Sequence, residues 1–281
     1  MTRLIPLVRV ASALSGLMFL LITLGFFFQA SWATHLWPWP DSRLSYIFIA
    51  SITAAVMAPL LWLAAVPDWH ASAGGGLNLA IAFAGMSANL ALLLLSGQRQ
   101  LLLYLAGFVL ITLGYLAGSL WALLLPLRDT RPMPRLVRFS FAFFAVVLVL
   151  TALALIFKAP TVFPWPLKPE TSVMFGWVFM GAAVYFAYGA FQRYWHDARG
   201  QLLGFLAYDL VLIGPFLADF ASVPPGHLLS LTIYLVVLVY SGALAIFYLF
   251  VNPRMRSWPI QSGQPARSAP PIKQDLVTSD R

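Results

Sequence analysis

Asp209 is the one charged residue set well inside a long apolar run of this sequence, with Tyr208 directly before it. A carboxylate at that depth in hydrocarbon costs several kcal/mol, so such a residue faces a packed interior or a water-filled cavity. Its chemistry would be that of a proton or cation site; the plainer alternative is an Asp hydrogen-bonded to a neighbouring helix. Gly214-Pro215 follows it and predicts a kinked or broken helix, a feature that accompanies ion sites in transporters. Asn78, Gly85, Asn89 and Ser96 recur at intervals of 7, 4 and 7 and so share one narrow helical face. Two amides and two small residues on one stripe suit helix packing through interhelical hydrogen bonds, or the lining of a pathway.

The four histidines are His35, His70, His196 and His227. His70 and His196 each follow a Trp and are predicted at helix ends, as interfacial anchors. No metal-ligand spacing such as H-E-x-x-H occurs, and no G-x-S-x-G, so no metal ligand and no catalytic residue is assigned. The absence of Cys removes disulfides, thiolate metal sites and a cysteine nucleophile. An enzyme would have to gather His35, Asp41, Asp219 and His227 from separate loops. Aromatic density over Phe175, Trp177, Phe179, Tyr185, Phe186 and Tyr188 fits packing, or a lipid or quinone ligand. The spacing identifies no cofactor.

The elements that hold these residues follow from composition. Hydrophobic residues make up 61% of the chain and charged residues 9%, where a soluble domain carries roughly 25% charged residues to wet its surface. Stretches such as Val10–Thr34, Ala71–Gln98 and Phe220–Pro253 contain no Asp, Glu, Lys or Arg. About 20 such residues span a bilayer. The fold class is therefore all-α, a polytopic membrane bundle, with eight transmembrane helices expected at 10–30, 45–66, 76–96, 101–125, 139–157, 172–192, 201–222 and 228–251. The first is read as a span, not a signal peptide, because its apolar run exceeds the usual h-region. The lipid bilayer is the expected partner, with a possible small-molecule or lipid ligand. Nucleic acid is not expected, because the basic residues cluster in particular loops. Residues 252–281 turn rich in Pro, Ser, Gln and charge, the composition of a disordered tail.

An internal match underlies the layout. At an offset of 126, Pro38-Trp39-Pro40 aligns with Pro164-Trp165-Pro166, Trp69-His70 with Trp195-His196, Gly74 with Gly200, and Pro6 and Arg9 with Pro132 and Arg135. This predicts two tandem four-helix repeats, 1–126 and 127–251. An even number of helices returns the chain to its starting side, so the repeats run parallel, related by an axis along the membrane normal. The Pro-Trp-Pro loops would act as stiff interfacial plugs, or as an outer lid walled by Trp37, Trp39 and Trp165. The stretch Phe163-Pro-Trp-Pro-Leu-Lys-Pro-Glu-Thr-Ser resembles the WPWPLTPL motif of uncharacterised bacterial multi-pass membrane proteins, departing from it at Lys168 and Glu170. That resemblance covers about ten residues; it implies a bacterial origin and no particular activity.

Three functions are compatible with these residues: a small-solute or proton-linked transporter or channel, which Asp209 and the repeat favour; an assembly or sensing subunit without chemistry; and a membrane-embedded enzyme acting on a lipid or quinone. Charge orients the chain. With the N-terminus inside, thirteen Lys/Arg face the cytoplasm and four (Arg43, Arg99, Lys158, Lys168) face out, which places both termini on the cytoplasmic side of an inner membrane. A reporter fused after Arg281 is expected to read as cytoplasmic; an external reading would require an odd number of spans.

Overall fold

The computed structural model describes residues 4–66 and 68–256. Among these the chain is all-helical, and eight of its helices are long and apolar enough to cross a membrane. They are α1 (Leu4–Phe27), α3 (Arg43–Ala65), α4 (Ser72–Leu95), α5 (Leu102–Leu123), α6 (Arg135–Ile156), α7 (Pro169–Phe191), α8 (His196–Asp219) and α9 (Leu228–Ile246); α2 (Ser31–Thr34) is a single turn between α1 and α3. The tail expected at 252–281 lies outside the described residues from 257 onward. Its first residues, Asn252–Arg256, fold back on the bundle: Arg131 Nη1 donates to the Arg254 carbonyl at 2.8 Å and Trp195 Nε1 to that of Met255 at 2.9 Å.

Helix ends follow local chemistry. Ser42 caps α3 by accepting from the Ser45 amide at 3.3 Å. Pro169 opens α7 at its first turn, with Glu170 beside it where the helix dipole favours an acid. α1 and α6 end alike. Gln29 (φ 55°) and Lys158 (φ 61°) are left-handed, and the next amide reaches back to Gly25 and to Ala154 at 2.8 Å. This closes the last carbonyls of both helices in a Schellman motif.

The helices pair in order: α1 on α3, α4 on α5, α6 on α7, α8 on α9. The two halves of the chain then meet through α3 on α8 and α4 on α7. Each of these crossings is built on a glycine against a backbone carbonyl. A Cβ at Gly204 would lie 2.9 Å from the Ala55 carbonyl oxygen, the one that Pro59, inside α3, leaves without its helical donor. A Cβ at Gly181 would overlap the Asn78 carbonyl. Gly85 in turn lies under the Trp177 ring, with no room for a Cβ. The Asn78–Gly85 part of the polar stripe on α4 thus faces α7 and packs.

At the Pro-Trp-Pro end, the two loops close over an aromatic core. Trp165 is buried, donates from Nε1 to Ser45 Oγ at 2.9 Å, and packs with Phe48, Phe163 and Phe216. Trp37 sits at 5.8 Å from both Trp39 and Phe175. Asp41 joins the starts of α3 and α7, accepting from the Ser42 amide, Ser45 Oγ and Thr171 Oγ1.

Two expectations are corrected. α8 begins at His196, about a turn before the predicted 201, because its first residues find partners inside the bundle: Asp197 lies against His196, and Arg199 pairs with Asp68 and Asp129 from other segments. It also runs unbroken through Pro215 to Asp219, so Gly214-Pro215 does not interrupt it. Gly114 and Gly118 on α5 meet nothing within 4 Å and face outward.

The glycine environments predict opposite signs. Gly181→Ala and Gly204→Ala overpack a helix crossing and are expected to cost about 1–3 kcal/mol. Gly114→Ala gains helix propensity in open space, up to about 1 kcal/mol. Thermal unfolding of the three variants in detergent, followed by gel filtration, checks the pattern; a melting temperature unchanged in Gly204→Ala would mean that the α3–α8 contact is looser than drawn.

Candidate functional site

The densest polar cluster lies at the other end of the bundle, opposite the Pro-Trp-Pro loops. Three segments build it. The turn Trp69–Ala71 after α3 carries Asp68 and His70; the loop between α5 and α6 carries Asp129 and Arg131; the first turn of α8 carries His196, Asp197 and Arg199. The α5–α6 loop is held in place by an antiparallel bridge to the α7–α8 connection: the Met133 amide donates to the Arg193 carbonyl at 2.9 Å and the Trp195 amide to that of Arg131 at 2.8 Å.

Arg199 is the hub of the cluster. Its Nη2 lies 2.8 Å from Asp68 Oδ2 and 3.2 Å from Asp129 Oδ2, and its guanidinium stacks on the Trp62 ring at 5.0 Å. Asp129 is also held by Arg131 at 2.6 Å. The two carboxylates respond differently. Burial pushes Asp68 above the ordinary range, and Arg199 opposes that only in part. Burial pushes Asp129 upward too, but its hydrogen bonds from Arg131 and the charge of Arg199 outweigh it and hold the group below that range.

Beside this network His70 and His196 meet. His196 Nε2 is 3.0 Å from His70 Nδ1, and Asp197 Oδ1 lies 3.2 Å from the former and 3.8 Å from the latter. His196 and Asp197 are buried, so the expectation of an interfacial anchor at His196 does not hold: its ring lies inside, against the partner residue 126 positions earlier. His196 Nδ1 lies 3.1 Å from the Asp129 carbonyl. A carbonyl can only accept, so that contact places a proton on Nδ1. Both oxygens of Asp197 lack a hydrogen-bond partner among the described protein groups, as do Asp68 Oδ1, Arg199 Nε, Trp69 Nε1 and Tyr188 OH nearby. His70, His196 and Asp197 are the one set among the described residues with three ligand-type atoms close enough to hold a metal ion.

The expected intramembrane residues lie elsewhere. Asp209, midway along α8, is buried against α9, where Ser241 Oγ donates to Oδ2 at 2.8 Å and Oδ1 has no partner. Tyr208 turns to a different neighbour, its hydroxyl 2.7 Å from that of Tyr234. Asn78 and Asn89 are half-buried on α4, and neither is among the hydrogen-bond partners of Asp209 or Tyr208. The aromatic residues of α7 pack inward at Phe175, Phe179 and Phe186. His35, Asp41, Asp219 and His227 each bond elsewhere: to the Ser31 carbonyl, to the Ser45 and Thr171 hydroxyls, to Ser222, and to the Phe163 carbonyl. No hydrogen bond or ion pair joins any two of these four. Two shallow grooves of about 290 and 320 Å³ run along α6–α7 and α6–α9; neither is lined by Asp209, Tyr208 or a histidine.

Comparison of the chain with protein-family models, with curated proteins and with solved structures finds no match.

The network predicts a sharp dependence on Arg199. Arg199→Ala leaves Asp68 and Asp129 facing each other in a buried space and is expected to cost about 3–5 kcal/mol. Arg199→Lys keeps the charge but loses the planar stack on Trp62, and should cost less. Melting in detergent distinguishes the two; equal, small effects would show that solvent already reaches the cluster.

Proposed function

We propose that this chain is a small-solute or proton-linked transporter or channel of a bacterial inner membrane. The observation that carries the reading is the Asp209 carboxyl group, buried midway along a membrane-spanning helix with one oxygen held by Ser241 and the other unpartnered. Ionisable residues at that depth mark ion and proton pathways in membrane proteins. Ser241 can donate to Asp209 in either protonation state, so the group can change charge without losing that partner. The enzyme reading would need its four loop residues together, and each is engaged with another group.

The proposal includes a build from two tandem parallel repeats, 1–126 and 127–251, with both termini cytoplasmic. Two features support the repeat. The helix pairing is reciprocal, since α3 on α8 and α4 on α7 are the same contact with the halves exchanged. His70 and His196, equivalent at an offset of 126, lie side by side, and equivalent residues meet across a two-fold axis only where they lie near it.

Reconstituted protein on a solid-supported membrane, challenged with amino acids, sugars and inorganic ions at several pH values, tests the role of Asp209. Asp209→Asn keeps the Ser241 contact and is expected to change stability by no more than about 1 kcal/mol. The expected result is a solute-evoked current in the wild type whose pH dependence is lost in Asp209→Asn. An unaltered pH profile in the variant removes Asp209 from the mechanism, and currents absent across the panel overturn the transport reading.

A further inference from the structure

The structure assigns a divalent transition-metal site, of the kind that takes zinc, to His70 Nδ1, His196 Nε2 and Asp197 Oδ1. This inference stands apart from the transport role of Asp209, because it uses neither that residue nor Ser241.

Geometry is the first argument. The three donor atoms form a triangle with edges of 3.0, 3.2 and 3.8 Å. A point equidistant from all three lies about 2.0 Å from each, which is the length of a zinc–imidazole or zinc–carboxylate bond. Four-coordinate zinc with bonds of about 2.0–2.1 Å places its ligands roughly 3.3–3.4 Å apart, in the middle of the observed range. The donor set of two imidazoles and one carboxylate suits zinc and its neighbours and does not suit magnesium or calcium, which prefer oxygen throughout.

Hydrogen bonding is the second. His196 Nδ1 is engaged by the Asp129 carbonyl, so a neutral ring presents a bare lone pair at Nε2. This is the outer-shell arrangement that orients metal-binding histidines. That lone pair then points at His70 Nδ1 and at a carboxylate. A proton on His70 Nδ1 bridges the two rings and leaves Asp197 without one, while a proton on His196 Nε2 has His70 Nδ1 at 3.0 Å and Asp197 Oδ1 at 3.2 Å competing for it. Asp197 is 2% exposed, has no well-aligned hydrogen bond among the described residues, and lies against two imidazoles, 3.2 Å from His196 Nε2 and 3.8 Å from His70 Nδ1. A buried carboxylate in that state is costly. One divalent cation at the centre of the triangle would satisfy both ring nitrogens and the carboxylate together.

The site's position gives it a consequence. His70 comes from the turn that joins α3 to α4, in the first half of the chain, and His196 and Asp197 come from α8, in the second. Metal bound there ties the halves together at this end. Three protein ligands leave the fourth position of a tetrahedral ion for water or an exchanging ligand, the pattern of open zinc sites. Binding to the folded chain alone also raises its stability as the free metal concentration rises.

The test uses the full chain in detergent, stripped with a chelator, loaded with zinc at micromolar excess and passed through gel filtration. One zinc per chain is expected by elemental analysis, with a melting temperature that climbs with zinc. His70→Gln and Asp197→Asn are each expected to lose the retained zinc and the zinc-dependent shift. The double variant His35→Ala/His227→Ala, which removes the histidines of the opposite end, should keep both. Cobalt in place of zinc should give the intense visible bands of a tetrahedral ion in the wild type. Should both site variants aggregate, the cobalt spectrum decides: tetrahedral bands support the assignment, and an octahedral aquo-type spectrum overturns it. Wild type that retains no metal, or site variants that retain one equivalent with the same melting shift, also overturn it.

Discussion

A guanidinium held between two carboxylates organises one end of this protein. Arg199 reaches Asp68 and Asp129, and those three residues belong to three segments far apart in sequence. Removing such charges from water costs several kcal/mol per ion, which only close pairing offsets. That requirement explains the surrounding structure. The α5–α6 loop must fold inward to deliver Asp129, so it is bridged to the α7–α8 connection. Arg131 must approach Asp129, and it also binds the carbonyl of Arg254, which draws the segment Asn252–Arg256 that follows α9 over the cluster. Trp195 seals the same region and bonds Met255. The pair of histidines lies under this cover, so His196 is shut off from solvent while His70 keeps a small exposed edge.

Between that end and the Pro-Trp-Pro loops, packing has to supply what the hydrophobic effect supplies in water. Helices in lipid gain little from hiding apolar surface, and close backbone approach takes its place. Gly181 and Gly204 provide that approach at the two inter-half crossings. The second crossing has an added cause. Pro59 frees the Ala55 carbonyl, an unsatisfied acceptor that hydrocarbon would penalise, and the backbone of α8 at Gly204 covers it. The aromatic cluster around Phe48, Phe163 and Trp165 then fills the other end. Both ends are thereby fixed by contacts between halves.

Much of this was legible before any coordinates. Charge-free runs mark seven of the eight spans, and length and apolar flanks mark the eighth, which carries Asp209 and Asp219. The offset of 126 aligns the two Trp-His pairs. It does not say that the aligned histidines touch, since that depends on how the helices pack and not on spacing along the chain. The start of α8 depends on contacts of the same kind. Asp197 and Arg199 look like a loop when taken singly, and they are buried only because Asp68, His196 and Asp129 come to meet them. The signal for Asp197 is faint: an acid flanks each Trp-His pair, before it in Asp68-Trp69-His70 and after it in Trp195-His196-Asp197. Gly114 and Gly118 show the converse, two glycines one helical turn apart that meet no packing partner among the described residues.

The pairing of helices across the halves also bears on how the molecule is made. α3 and α4 are consecutive, yet α3 packs on α8 and α4 on α7. The first four helices leave the ribosome as two hairpins, α1–α3 and α4–α5, whose inner faces have no occupant. Gly85 waits for Trp177, Asp68 for Arg199, and Ser45 for Trp165. Until α7 and α8 are inserted, these three positions lack the partners they have in the finished bundle.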